Sequence, residues 1–345
     1  MQIVPATALL EISKRYEGHR IHREAGWHGY DEGKTWGALP YSVSTLYRGQ
    51  NARHVPMLAS IGRGLQSTDI VEIYRSSISD QANIVLRLAQ AWWFSRELAR
   101  HPISQHATEQ HLDLDPIALA QHYGIPTGYL DLTDDFNVSA FFATCYEINN
   151  KWEPVDSGVG VIYRVHLKEL DTPFGSYTPL GPQQLPRPSQ QCAWVTELPF
   201  CHSFEGWPHV EMLQFSHNRH VGEYFLEMFS GGKSLFPPDP LSNVAEEILA
   251  CHEIPVDLVE AALNSFVADP YGILPEHLPA IRKEISKHSD QVDYRKLLTD
   301  QHVTSLLADQ RWRDKMLSEV RVKWPLVRRM PISQINVNTK QDTAD

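Results

Sequence analysis

Leu46-Tyr47-Arg48-Gly49-Gln50 is the stretch from which the fold of this chain is read. It closes a β-like run from Tyr41 to Tyr47 and sets a cation beside a residue with no side chain. Glycine there allows a ligand to approach the backbone closely, and arginine offers a rigid fork of donors to phosphate or carboxylate. A strand that ends in a tight turn with a surface ion pair would carry the same letters, so these five residues alone leave both readings open.

Downstream, Asp115 can cap a helix whose first turn takes Pro116 and whose apolar residues Ile117, Leu119 and Ala120 lead to Gly124. Ile125-Pro126-Thr127 cannot continue it, because proline lacks the amide donor and restricts the residue before it. A short strand or turn then reads Tyr129-Leu130-Asp131-Leu132-Thr133, and Asp134 and Asp135 can cap a buried helix over Val138 to Tyr146. Gly158 to Val165 is rich in β-branched residues and predicts a strand.

Upstream, apolar residues from Thr68 to Arg100 recur at three and four residue steps, which predicts one or two amphipathic helices covering a sheet. Residues 170–210 carry many prolines and aromatics and predict a long ordered loop system. A further strand is expected at Glu223 to Phe229, before Gly231-Gly232. Together these elements predict an α+β fold with a mixed or antiparallel central sheet and flanking helices. The expected organisation is a core over 1–240, a mainly helical region over 241–336 packed on it, and a flexible tail over 337–345.

Composition narrows the function classes. At 345 residues and 42% hydrophobic content the chain can bury a large core. A net charge of −11 argues against general affinity for nucleic acid or anionic lipid. Late basic groups (Arg311, Arg313 and Lys315; Arg321, Lys323, Arg328 and Arg329) read as a solvated helix face or end. No run reaches the roughly 18 apolar residues of a membrane span, and the first residues have no leader pattern, so a cytoplasmic and bacterial protein without membrane partners is expected. Cys145, Cys192, Cys201 and Cys251 show no paired spacing, and the 17 histidines are scattered, so no metal is expected. The loop Cys201 to His209 is the nearest approach to a ligand set.

The segments Leu46 to Gln50, Leu119 to Thr127 with its Gln121-His122-x-Gly124-x-Pro126-Thr127 core, Leu130 to Thr133 and Ala140 to Ala143 resemble the FRG domain over about residues 40–150. That family carries arginine after Pro-Thr, where this chain has Gly128. Tyr47-Arg48-Gly49 is also similar to the motif with which ADP-ribosyltransferases open their NAD site. Leu132 to Ala143 followed by Val161 to Val165 resembles the strand, helix and strand of those enzymes.

The second resemblance implies an ADP-ribosyltransferase-like core and NAD as substrate, with a macromolecular acceptor that the sequence does not identify. It implies either transfer or NAD hydrolysis, in an effector of bacterial defence or a toxin system. Glu223, Arg48 and His122 are the residues it points to for catalysis, Glu223 stabilising the cation formed as nicotinamide leaves. Glu227 is the alternative carboxylate. Tyr47, Arg48, Gly49, Gln50, Tyr123, Thr127, Asp131 and Thr133 are the expected nucleotide contacts, with Tyr129 a second stacking ring. The alternative is a non-catalytic module that holds a nucleotide or a protein in the same cleft. Structural roles compete at several positions: His122 as a helix-end cation, Thr127 and Asp131 as turn fasteners, and Asp134 or Asp135 as a cap.

Overall fold

The computed structural model describes residues 3–17, 27–32, 35–40, 45–65, 72–109, 114–149, 151–167, 177–180, 185–198, 202–310 and 313. Its N-terminal part comprises β1 (Val4–Pro5), α1 (Thr7–Glu17), the hairpin β2 (Trp27–Glu32) and β3 (Thr35–Pro40), and β4 (Thr45–Gln50). Then come α2 (Ile78–Arg100), α3 (Pro102–Glu109), α4 (Pro116–His122), β5 (Tyr129–Thr133) and α5 (Phe136–Thr144). A second hairpin, β6 (Cys145–Ile148) and β7 (Lys151–Pro154), leads into β8 (Val159–His166). β9 (Tyr177–Pro179), α6 (Pro186–Gln190), β10 (Ala193–Glu197), β11 (Val210–Ser216) and α7 (Arg219–Met228) complete the first two-thirds. The remainder is α8 (Pro240–Ala250), β12 (Glu253–Pro255), α9 (Val256–Ala268), α10 (Leu278–His288), β13 (Asp290–Val292) and α11 (Asp300–Ala308).

Seven strands form one sheet in the order β1-β11-β8-β4-β5-β10-β9. Among the described strands of this sheet only β1 runs parallel to its neighbour, so the sheet is mixed and mostly antiparallel, as expected. β4 pairs with β8 along its whole length, from Thr45 with His166 to Gln50 with Val161. Toward β5 it makes a single pair, Tyr47 with Thr133. The two strands separate beyond that pair, at Arg48.

Strand alternation sends Leu46 to one face of the sheet and Tyr47 to the other. Leu46, Leu130, Leu132, Val161 and Tyr163 pack with α2, whose Val85, Trp93 and Phe94 are fully buried. Helices α8, α9 and α10 pack around that same helix. On the other face Tyr47 and Ile162 meet α1, α5 and α7. Helix α5 is buried along nearly its whole length, and sequestering a ring such as Phe136 or Phe141 contributes roughly 1.5–3 kcal/mol each.

The caps follow the sequence. Ser77 accepts from Asp80 N, Asp115 from Ile117 N and Ala118 N, and Asp135 from Asn137 N. Gly124, at φ 91°, turns the chain out of α4 as its position after the helix requires. Helix α2 begins at Ile78, later than the periodicity predicts, after a 3₁₀ turn at Ile73–Arg75. Residues 41–44 and 66–71, the expected tail over 337–345, and parts of the expected loop system over 170–210 lie outside the described residues.

One element is corrected. Residues 223–229 are not a strand: Glu223 to Met228 belong to α7, capped by Asn218, which accepts from His220 N and Val221 N. Val221, Phe225 and Phe229 are all buried at four-residue spacing, so the apolar period is that of a helix rather than a strand.

Candidate functional site

Arg48 occupies the point where β4 and β5 part. Its Nη1 donates to the Asp131 carbonyl oxygen at 2.6 Å, so the guanidinium spans the gap between the two strands. Its Nε is buried without a hydrogen-bond partner, and no carboxylate among the described residues lies within ion-pair distance. Burial pulls the Arg48 pKa down to about 10, against the pull of Asp131. Removing a guanidinium from water with only a neutral partner leaves it suited to an anion.

A polar network from the Gln-His-x-Gly-x-Pro-Thr segment surrounds that gap. The Gln121 amide donates to Asp131 Oδ2 at 2.9 Å, and its carbonyl accepts from Thr127 Oγ1 at 3.0 Å and from the Ser60 hydroxyl. Thr127 N donates back to Ser60 Oγ at 2.9 Å, tying the loop after β4 to the turn after α4. Thr127 Oγ1 also accepts from Tyr129 N at 3.1 Å. His122 Nδ1 lies 3.6 Å from Asp131 Oδ1.

The titrating groups are set by this enclosure. Burial lowers the His122 pKa despite Asp131 nearby, so the ring is neutral, not the helix-end cation considered from the sequence. For Asp131 burial acts upward, but the neighbouring His122, the charge of Arg48 and the hydrogen bond from Gln121 hold the carboxyl below its ordinary range. Its Oδ1 makes no hydrogen bond, and a third of the side chain (33%) is exposed. The gap therefore presents a cation and an anion with unused capacity side by side.

Arg48, Gln121, His122, Thr127 and Asp131 are thus brought together, and the other expected contacts are not. The close approach permitted by Gly49 is to α5 rather than to a ligand: a Cβ there would stand 1.8 Å from the Ser139 carbonyl oxygen. Tyr47 is core, its ring 5.7 Å from Tyr16 and 5.6 Å from Phe136 in edge-on contacts. Gln50 is partly buried, with Oε1 unpartnered. Thr133 Oγ1 is used within the fold, donating to Gln191 O and accepting from Asp135 N.

Tyr123 and Tyr129 are not free stacking rings. Tyr123 is buried, packs on Phe94, and donates its hydroxyl to Asp239, the cap of α8. Tyr129 donates to Asp115 at 3.2 Å. Glu223 sits on α7, which packs on α5 and β7, and its carboxylate is held at the surface by Arg219 at 2.9 Å and His220 at 3.1 Å. It does not join Arg48 in the gap, because a helix rather than an inward strand carries it.

Ser60, Tyr163 and Arg187 carry no motif signal in the sequence. Tyr163 is the cross-strand partner of Arg48 on β8 and donates to Glu205, which pairs with Arg53 at 3.5 Å. Arg187, on α6, lies over the Tyr123 ring at 5.5 Å and borders a cleft of about 1220 Å³ between the β6–β7 hairpin and the C-terminal helices. No group of three or more His, Cys, Asp or Glu able to hold a metal is found among the described residues. No described helix is long and apolar enough to cross a membrane.

No curated protein and no solved structure matches the chain. The FRG domain family model matches residues 43–151, which hold β4, the Gln121 to Thr127 segment, Asp131 and α5. The cluster around Arg48 is therefore the polar centre of an FRG domain, and the chain is an FRG domain-containing protein.

Proposed function

We propose that the FRG domain binds an anionic nucleotide in the gap between β4 and β5, with NAD the first ligand to test. The observation that carries this reading is the Arg48 guanidinium, buried between two diverging strands with Nε unpartnered and no carboxylate paired to it. Such a group gains most from a phosphate, which accepts two donors of the fork at once. The similarity of Tyr47-Arg48-Gly49 to the NAD motif of ADP-ribosyltransferases gives the nucleotide its class.

A second reading, transfer or hydrolysis of NAD, is favoured by Asp131 and not by Glu223. Asp131 is an ionised carboxylate beside Arg48 whose Oδ1 makes no hydrogen bond, whereas Glu223 is engaged on the outside of the α5 layer. A fixed carboxylate at the ribose lowers the barrier as a cation develops there. Asp131 takes that role if the gap turns NAD over.

Calorimetric titration with NAD, together with assay of nicotinamide release, separates the outcomes. Binding lost in Arg48→Ala without release identifies a binding module. Release that survives Glu223→Gln and disappears in Asp131→Asn identifies an enzyme. NAD that neither binds nor is cleaved overturns both for this ligand.

A further inference from the structure

Arg187 resembles Arg48 in one respect and differs from it in every other. Its guanidinium lies over two rings, 5.5 Å from Tyr123 and 4.8 Å from Phe236. The stack continues from Phe236 to Trp152 at 5.3 Å, nearly parallel. Two aromatic faces fix the orientation of the cation without using its hydrogens. Among the described residues no hydrogen bond or ion pair satisfies those hydrogens, and Nε is buried without a partner. Burial lowers the Arg187 pKa, against the pull of Tyr123, Asp131, Asp239 and Glu147. Asp239 is itself engaged by the Tyr123 hydroxyl.

This cation faces a cleft of about 1220 Å³, large enough for a metabolite-sized ligand. Lys151 and Lys233, both exposed, line the same cleft. Glu147 of β6, Asp239 before α8, Glu246 and Glu247 of α8 and Asp309 after α11 line it as well. Glu247 is already paired with Arg295 at 3.4 Å. Cations gathered with an immobilised guanidinium match a phosphoryl group, and the carboxylates exclude an extended polyanion while accepting hydroxyl or amine donors.

We propose that the cleft lined by Arg187, Lys151 and Lys233 is a second ligand site, for the phosphoryl group of a small phosphorylated molecule, separate from the gap at Arg48. Arg187 supplies the oriented donors, and the two lysines supply charge at the mouth. Glu246 and Glu247 of α8 and Asp309 face the uncharged or amine-bearing end of the ligand.

The test is titration of the full chain with inorganic pyrophosphate at low ionic strength, followed calorimetrically, with circular dichroism confirming the fold of each variant. Wild type binds, Arg187→Gln and Lys233→Glu each weaken binding roughly tenfold or more, and the binding that Lys233→Glu weakens persists in Arg48→Ala even where a strand-gap component is lost. Arg187 is built into an aromatic stack, so if Arg187→Gln does not fold, the exposed substitutions Lys151→Glu and Lys233→Glu decide. No binding by wild type overturns the proposal, as does affinity that Lys233→Glu and Lys151→Glu leave unaltered. Binding abolished by Arg48→Ala places pyrophosphate in the strand gap and overturns the second site while supporting the first.

Discussion

The two faces of β4 carry opposite duties within four consecutive residues. Tyr47 and Gly49 point to the α5 side, where a ring fills space between Tyr16 and Phe136 and the missing Cβ admits the Ser139 carbonyl. Arg48 and Gln50 alternate away from that side and keep polar atoms without partners. A motif that reads as one functional unit is thus half scaffold and half site. The scaffold half fixes the backbone that the site half needs.

Gly49→Ala attacks the scaffold half directly and has the largest expected effect. The added methyl group meets backbone on α5, which cannot rotate aside, so a loss of about 3 kcal/mol or more is expected. A urea midpoint lowered with an unchanged slope would measure it; stability within about 0.5 kcal/mol of wild type would show that α5 shifts without cost.

Acidification probes the layer on the Arg48 side without touching β4. His101, at the end of α2, accepts from Ile103 N at 3.2 Å, and burial lowers its pKa from 6.5 to about 4. The unfolded chain then binds the extra proton between these values. Its contribution is complete above pH 6.5 and is lost as the pH falls toward 4, amounting to about 3 kcal/mol at most. The difference in stability between wild type and His101→Phe, followed from pH 7 to 4, should narrow steadily, and a constant difference would exclude this origin.

Arg48→Met tests the site half. Removing a buried, incompletely paired cation should change stability by no more than about 1 kcal/mol while abolishing anion binding in the gap. A destabilisation as large as that of Gly49→Ala would make Arg48 a structural residue. The smallest effect belongs to Glu223→Gln, whose ion pairs lie in solvent. Its urea midpoint and its affinity for NAD should both match those of wild type, and weaker NAD binding would return Glu223 to the site.

Local chemistry is the legible part of the sequence. Asp115, Pro116 and Gly124 mark the limits of α4, Asp135 caps α5, and the β-branched run 159–165 lies within β8. Such signals act over a few residues and need no tertiary partner. Glu223 to Phe229 resembles a strand only when Val221 is left out, and the longer spacing from Val221 to Phe225 and Phe229 reveals the helix.

The site divides in the same way. Gln121, His122, Thr127 and Asp131 stand close together in sequence and meet Arg48 through one strand pair, so their association is written in the motif. The role of Gly49 is hidden, because no local pattern tells whether a ligand or a helix fills the space over a glycine. Arg187 is hidden among prolines, its place set by rings that are distant in sequence, Tyr123 and Phe236.

The single backbone pairing of Tyr47 with Thr133, with the Arg48 to Asp131 hydrogen bond beside it, joins the seven strands as two panels along a short seam. Four strands lie on one side and three on the other, and α5, which touches β4, β5 and β8, is the strap across the seam. Twisting one panel against the other changes the width of the opening that Arg48 bridges. A molecule seated there would act as a second fastener and stiffen the whole sheet, so its arrival would be felt as far away as the edge strands β1 and β9.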